Sequence, residues 1–178
     1  NGRIQNRSNY MAKLEKISGI VRVNVDGSVG LNGVNSKDDV VAVQALLKYA
    51  MAERPHWNKL TFPEPNGVVD RITLSFIRRF QKHARSIAGG GVAIDGRIDP
   101  AIGERAFGRR GMWTMVMLNI YALETWFYKG SKNSNYIRDI RLRFPAFNAA
   151  IGSDGVGSLD LELEPSVAGI GTLGLSLE

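Results

Sequence analysis

Two copies of a short turn-and-helix pattern, 29 residues apart, constrain the fold of this chain most. The first copy is 66–70 (NGVVD), and the second is 95–99 (DGRID), which runs directly into Pro100. Asn-Gly and Asp-Gly favour tight turns because glycine adopts positive φ angles without steric cost. Asp70 and Asp99 are placed to accept hydrogen bonds from the free N–H groups of a following helix, and proline suits the first helical position. The repeat therefore predicts two turn–helix units, with helices that begin after Asp70 and after Asp99.

Apolar residues at helical spacing predict the remaining helices. Ser36 is expected to cap a first helix, which ends before Pro55. The stretches 112–127 and 135–144 are also expected to be helical, and the first of these has an apolar face wide enough to be covered on both sides. The helix that follows Asp70 is expected to bury Ile72, Phe76, Ile77, Phe80 and Ala84.

Three segments alternate apolar and polar residues as half-buried strands do. They are 20–25, 159–164 and 173–177, and a proline and several glycines separate the last two. The three strands are expected to form one small β element. The predicted fold class is mainly α, with this β element built from an N-terminal strand and the C-terminal tail.

The charge of the chain is strongly asymmetric. The net charge is +6, but residues 144–178 contain five acidic residues and no Lys or Arg, which leaves 23 basic and 12 acidic residues in the remainder. This distribution predicts an anionic partner, or pairing between the tail and the body. Basic helical faces at 78–85 and 138–143 suit phosphate contacts, but such faces are usually only solvated, so a nucleic acid is not the expected partner.

Composition excludes several other classes of protein. The chain has no cysteine, so disulfides, thiol nucleophiles and thiolate zinc sites are absent. No apolar run approaches the ~18 residues that span a bilayer, so no membrane span is expected. The N-terminus has no signal-peptide pattern. Localisation stays open, and the sequence is compatible with cytoplasmic synthesis followed by signal-independent export to the periplasm or cell wall.

The patterns divide the chain into five regions. Met11 resembles a natural start, so the first region is interpreted as a leader, disordered or added for expression. The N-terminal strand and loop, the helical repeat region, additional helices and an acidic Gly-rich β tail follow it. The predicted bounds of these five regions are 1–10, 11–33, 34–105, 106–150 and 151–178.

The first helix and the two repeat copies together resemble the peptidoglycan-binding-like domain family. Residues 36–47 (SKDDVVAVQALL) are similar to its opening helix, with a D-V-x-x-[LV]-Q-x-L-L pattern. Residues 66–81 are similar to its D-G-x-x-G-x-x-T…F-Q element, and 94–100 to its closing V-D-G-x-[VI]-[GD]-P. The resemblance covers 34–105 and implies a compact three-helix unit that attaches cell-wall enzymes or secreted effectors to peptidoglycan. Asp70-Arg71 replaces the family's usual Gly-Pro.

Seven residues are candidates for ligand binding. Arginines near the turns suit the carboxylates of a peptidoglycan stem peptide, because a guanidinium fork matches that geometry. Aromatic rings near the 55–66 loop suit stacking on sugars, although anchoring in the core is the commoner role for such rings. Gln44 and Gln81 are expected to hydrogen-bond to loop backbone, and Asp70 and Asp99 to cap helices. The candidates are Tyr49, Trp57, Asn66, Arg71, Arg78, Asp95 and Arg97.

Nothing in the sequence predicts catalysis, a metal site or a cofactor. His56 and His83 are the only histidines, and they do not form a zinc-binding pair. Glycoside hydrolysis needs two carboxylates that flank one cleft, and no spacing here predicts such a pair. Glu124 lies within a strongly apolar predicted helix and is expected to form an ion pair with a nearby arginine.

Two functions fit the sequence best, and an enzyme with an unrecognised site is a third alternative. The first is non-catalytic recognition of bacterial peptidoglycan, through its glycan strand or its stem peptide. The second is a structural or interaction protein, as a component or cargo of a secretion or contractile injection apparatus. In that case it would reuse the scaffold and associate with itself or with a partner protein through 151–178, since alternating strands expose edges unless they are paired.

Overall fold

The fold is mainly α-helical, as the sequence predicts. A computed structural model describes residues 11–17, 20–51, 54, 57, 60–103, 105–106, 111–130 and 135–151, and about half of these are in five helices. The helices are α1 (Lys37–Met51), α2 (Arg71–Ile87), α3 (Thr114–Tyr128), α4 (Tyr136–Arg143) and α5 (Pro145–Ala150). The strands are β1 (Lys13–Ile17), β2 (Ile20–Asn24), β3 (Val29–Gly30), β4 (Arg97–Ile98), β5 (Arg105–Ala106) and β6 (Gly111–Met112).

The predicted start of α2 is confirmed. Asp70 adopts an extended conformation, and its carboxylate accepts a hydrogen bond from the Thr73 N–H at 2.7 Å. This bond lowers the pKa of Asp70. The expectation that Ile72 is buried is wrong, since its side chain is 51% exposed. Thr73 takes the inward position of the first turn instead, where its hydroxyl contacts Gln44. The other four predicted core positions of α2 are buried.

The helix predicted after Asp99 is absent from residues 99–103, and this prediction is wrong. The Asp99 carboxylate pairs with Arg97 (Nε–Oδ1, 2.9 Å) rather than capping a helix. The Ala101 N–H donates to Asn24 Oδ1, and the Ala101 carbonyl accepts from Asn24 Nδ2, each at 2.9 Å. Because β2 occupies these backbone groups, they are not available to a helix. The next helix among the described residues, α3, begins at Thr114.

The N-terminal strand is confirmed, but its partner was not predicted. β2 pairs antiparallel with β1, with Lys13 opposite Asn24. The tail strands predicted at 159–164 and 173–177 lie outside the described residues. The last described residue, Ile151, forms an isolated parallel bridge with Ala12.

The core lies between α1 and the helices packed around it. α1 contributes an almost continuous buried segment, including Leu46, and it packs against α3 and α5. Phe80 of α2 and Leu118 of α3 are fully buried, and such side chains each stabilise the fold by about 1.5–3 kcal/mol. None of the described helices is long and apolar enough to cross a membrane.

Asn119 of α3 fastens the β1–β2 hairpin to this core. Its Oδ1 accepts from the Val23 N–H and the Tyr136 hydroxyl, each at 2.7 Å. Its Nδ2 donates to the Val23 carbonyl at 2.9 Å and to the Met115 carbonyl at 2.7 Å. Burial raises the pKa of Tyr136, so its hydroxyl stays protonated and can act as a donor. Among the described residues no strand pairs with β2 on this side, and the amide takes the place of one there.

Candidate functional site

The two predicted turns have the same backbone geometry. Gly67 and Gly96 both have φ of 77°. The side chain of the residue before each glycine closes an Asx turn. Asn66 Oδ1 accepts from the N–H of Val68, and Asp95 Oδ1 accepts from the N–H of Arg97, each at 2.9 Å. The Asn-Gly and Asp-Gly pairs therefore specify these turns locally, and only the glycine needs a positive φ.

Gln44 holds the first turn against α1. Its Oε1 accepts from the N–H groups of Asn66 and Gly67, at 2.9 and 3.0 Å. Its Nε2 donates to Asn66 Oδ1 at 3.0 Å, to the Val68 carbonyl at 2.9 Å and to Thr73 Oγ1 at 3.1 Å. One amide thus satisfies the turn backbone and the first turn of the next helix. The predicted backbone role of Gln44 is confirmed.

Gln81 repeats this arrangement on α2. Its Oε1 accepts from the Gly96 N–H at 2.8 Å. Its Nε2 donates to Asp95 Oδ1 at 2.9 Å, to the Arg97 carbonyl at 2.8 Å and to Thr114 Oγ1 at 3.5 Å. The duplicated unit is therefore a helix with a glutamine, a turn, and a following helix with a threonine. In the second unit that threonine is the first residue of α3, and residues 99–103, which follow the turn, are not helical.

A third turn, at Asp26-Gly27, is held in a similar way, and the contact that holds it was not predicted. Asp39 of α1 is fully buried, and its carboxylate accepts from the Asp26 N–H at 3.0 Å and the Gly27 N–H at 2.9 Å. The Ser36 hydroxyl donates to the same carboxylate at 2.7 Å. The signal that could have revealed this contact is Asp26-Gly27, a further Asp-Gly pair, followed by an acidic residue on the inward face of a helix.

One loop connects the two repeated turns. The Leu31 N–H donates to the Gly96 carbonyl at 2.9 Å, while the Lys37 side chain lies against Gly67. Gly30 has φ of 113°, and a Cβ there would lie 2.2 Å from the Gly96 carbonyl oxygen. We call this surface the twin-turn face, made of residues 30–37, 66–68 and 95–97 with the adjoining Arg71 and Arg78.

The arginines of the twin-turn face differ in their partners. Arg78 lies against Gly96, so α2 carries a guanidinium to the second turn. Arg71 is exposed at the start of α2. Among the described residues neither Arg71 nor Arg78 forms an ion pair, whereas Arg97 pairs with Asp99. Within the described part of the chain, two of the three predicted arginines therefore have no carboxylate partner at this surface.

Apolar side chains accompany these charges. Four of them are exposed on or directly beside the segments of the face, which gives it a mixed apolar and cationic character. They are Leu31, Val34, Val68 and Ile94.

Tyr49 and Trp57 do not join this surface. Tyr49 is 1% exposed, its hydroxyl donates to Asp139 at 2.7 Å, and the Lys129 ammonium lies 4.6 Å from its ring centroid. Trp57 is 7% exposed and packs edge-on against His83. Both rings are covered, so they anchor the core and are not open to a sugar. The twin-turn face retains the other five candidates: Asn66, Arg71, Arg78, Asp95 and Arg97.

Within the described ranges no group of three or more His, Asp or Glu side chains could hold a metal ion. Glu124 pairs with Arg54, as expected from its position on an apolar helix. The described groups of the twin-turn face offer hydrogen bonding, ion pairing and apolar contact to a ligand.

Comparisons of the chain with protein-family models, curated proteins and solved structures gave no match. The resemblance to peptidoglycan-binding-like domains accordingly stays a prediction.

Proposed function

We propose that the protein recognises bacterial peptidoglycan without catalysis, and that the twin-turn face is its contact surface. The main support is that two buried glutamines fix two equivalent turns on either side of one loop. A surface fixed in this way loses little conformational entropy when a ligand binds. Recognition by such a face does not require any side chain to react.

The charges of the face suit a stem peptide. Arg71 and Arg78 have no carboxylate partner among the described residues, and a guanidinium binds a carboxylate through two parallel hydrogen bonds. The exposed apolar residues beside them suit the methyl groups and sugar faces of the polymer. The role of Asn66 and Asp95 in this proposal is indirect, because Oδ1 of each is used within its turn.

A pull-down with purified sacculi tests the proposal. Arg71→Ala combined with Arg78→Met removes two charges and keeps an apolar stem over Gly96. We expect this variant to lose retention at least fivefold, while Arg138→Ala, at an exposed position of α4, binds like the wild type. Wild-type retention on sacculi no greater than on cellulose would reject wall recognition. Equal retention of the double variant would reject this face.

The alternative is an assembly component that associates through 151–178. Almost all of that segment lies outside the described residues, so this function stays a prediction. Size-exclusion chromatography with light scattering separates the two functions. A defined oligomer that dissociates when residues 152–178 are deleted favours assembly, whereas a monomer that binds sacculi favours wall recognition.

A further inference from the structure

A cleft of about 510 Å³, which has no lining residue in common with the twin-turn face, lies between the β1–β2 hairpin and the loop 100–103. One wall is basic, with Lys13, Lys16 and Arg22. The other wall contains Pro100 and Ile102, and the Ile102 side chain is 79% exposed.

The two walls are tied together by hydrogen bonds. Asn24 pairs with both backbone groups of Ala101, and Arg22 Nη2 donates to the Gly103 carbonyl at 3.1 Å. The cleft is therefore a fixed feature of the fold, held by three contacts between segments almost eighty residues apart.

Among the described residues, one hydrogen-bond donor of Arg22, buried beneath the wall of this cleft, has no acceptor. The residue is only 6% exposed, and Nη2 donates to Glu15 at 3.2 Å. Its Nε–H is buried and has no acceptor in the part of the chain that the structure describes. A buried charged donor without a partner is costly, and a carboxylate is the group that a guanidinium pairs with best.

The cleft also has an excess of positive charge. Lys13 lies 3.0 Å from Asp26 and 3.7 Å from Glu15, and the hydrogen bond to Asp26 raises the pKa of Lys13. Lys16 has no carboxylate partner among the described residues. Three cations therefore face two carboxylates, which favours an anionic occupant.

The chain itself contains a segment of matching chemistry. Residues 159–164 (LDLELE) alternate leucine with acidic residues. An extended segment of this kind presents its carboxylates on one face, about 6.5 Å apart, and its leucines on the other. A two-walled cleft with one basic and one apolar side complements both faces.

The route of the chain makes this pairing accessible. Ile151 is bridged to Ala12, the residue that precedes Lys13 in the basic wall. Eight Cα–Cα steps separate Ile151 from Leu159, and they can span up to about 26 Å. We propose that the cleft binds the segment 159–164 in cis, with its carboxylates towards Arg22 and Lys16 and its leucines towards Ile102. This proposal does not depend on wall binding by the twin-turn face.

Carbodiimide cross-linking of the full-length protein tests the proposal, because the reagent joins only an ammonium and a carboxylate that touch. Mass spectrometry of the monomer should find Lys13 or Lys16 joined to Asp160, Glu162 or Glu164. The Lys13–Asp26 contact provides an internal positive control. Absence of the tail cross-links where this control is present would overturn the proposal. Tail cross-links confined to a dimer, and rising with protein concentration, would overturn binding in cis.

Three variants sharpen the test. Lys16→Glu should lower the yield of Lys13–tail cross-links at least threefold, while Lys82→Glu on the exposed face of α2 should leave it unchanged. A labelled peptide of residues 157–164 should bind the D160N/E162Q/E164Q variant at least fivefold more tightly than the wild type, because the wild-type segment competes with it. Equal binding to both proteins, or equal yields from both lysine variants, would refute the assignment.

Discussion

Gln81→Glu should destabilise the fold much more than Gln44→Glu, although the two glutamines make similar contacts. In both variants one oxygen of the introduced carboxylate can still accept hydrogen bonds from the N–H groups of the turn, but the Nε2 donor of the glutamine is lost. The difference lies in the turn residue, since Gln81 faces the charged Asp95, at 2.9 Å, and Gln44 faces the neutral Asn66, at 3.0 Å. The first substitution therefore brings two carboxylates together, and the second does not.

The magnitude follows from two independent estimates. Two carboxylates that relax to about 4 Å apart repel by roughly 4 kcal/mol at an effective dielectric constant of 20. Keeping the introduced carboxyl group protonated at pH 7 instead costs about 3.7 kcal/mol, at about 1.4 kcal/mol for each pH unit above its unfolded pKa of about 4.3. We therefore expect a loss of about 4 kcal/mol for Gln81→Glu. For Gln44→Glu we expect about 2 kcal/mol, from lost hydrogen bonds alone.

Urea unfolding at several pH values measures this difference. In the Gln81→Glu variant the folded-state pKa of the introduced carboxyl group is raised above its unfolded value. Its contribution to stability is therefore present below about pH 4.3 and is lost as pH rises through the folded pKa. The difference in unfolding free energy between the Gln81→Glu variant and the wild type should accordingly become smaller as pH falls from 7 to about 4.5.

The double variant Q81E/D95N provides the control, because it gives the second turn the asparagine that the first turn has naturally. Its loss of stability should fall to about that of Gln44→Glu. Equal costs for the two single variants at pH 7, with no recovery in Q81E/D95N, would refute the argument from charge.

Three further substitutions test the supports of the site. Asp70→Ala removes the hydrogen bond from the Thr73 N–H and should lower the free energy of unfolding by about 1 kcal/mol at pH 7. Because hydrogen bonding lowers the pKa of Asp70, calorimetry should show that this loss of stability becomes smaller as pH falls below 3.8. Gly30→Ala should cost more than about 2 kcal/mol in urea unfolding, since its φ is positive and the added Cβ would lie 2.2 Å from the Gly96 carbonyl oxygen. Asn119→Leu should cost about 3 kcal/mol in thermal unfolding because four hydrogen bonds are lost, and a loss below about 1 kcal/mol would contradict its role in holding the hairpin.

Local chemistry predicted those parts of the fold in which neighbouring residues determine the conformation. The Asp70 cap, the positive φ of the turn glycines and the backbone role of Gln44 and Gln81 all follow from residue types in a short window. The start of a helix after Asp99 did not follow, although Asp-Pro fits a helix N-terminus. Asn24, more than seventy residues away, binds the backbone of Ala101, and local reading of the sequence does not reveal such a competitor.

The candidate site was predictable to a similar extent. The turns and their arginines were found because the repeat marks them. Tyr49 and Trp57 were misplaced because exposure depends on packing, and the residues that cover their rings, Lys129 and His83, are distant in sequence. The pairing of β1 with β2 was missed for a related reason, since KLEKI has too few alternating apolar residues to stand out as a strand.

In this fold the side chains that hold the turns are buried, whereas the arginines proposed to bind the ligand are exposed. Asp39, Gln44 and Gln81 lie on buried sides of α1 and α2 and hold turn backbones. Arg71 and Arg78 are exposed on α2, and the hydrogen bonds that hold the turn backbones do not involve their side chains. Substitutions at these two arginines should therefore change binding while unfolding free energies stay within about 0.5 kcal/mol. If these substitutions lower both sacculus binding and the free energy of unfolding, the arginines also support the turns. The assignment of stability to the buried residues and of binding to the exposed arginines would then be wrong.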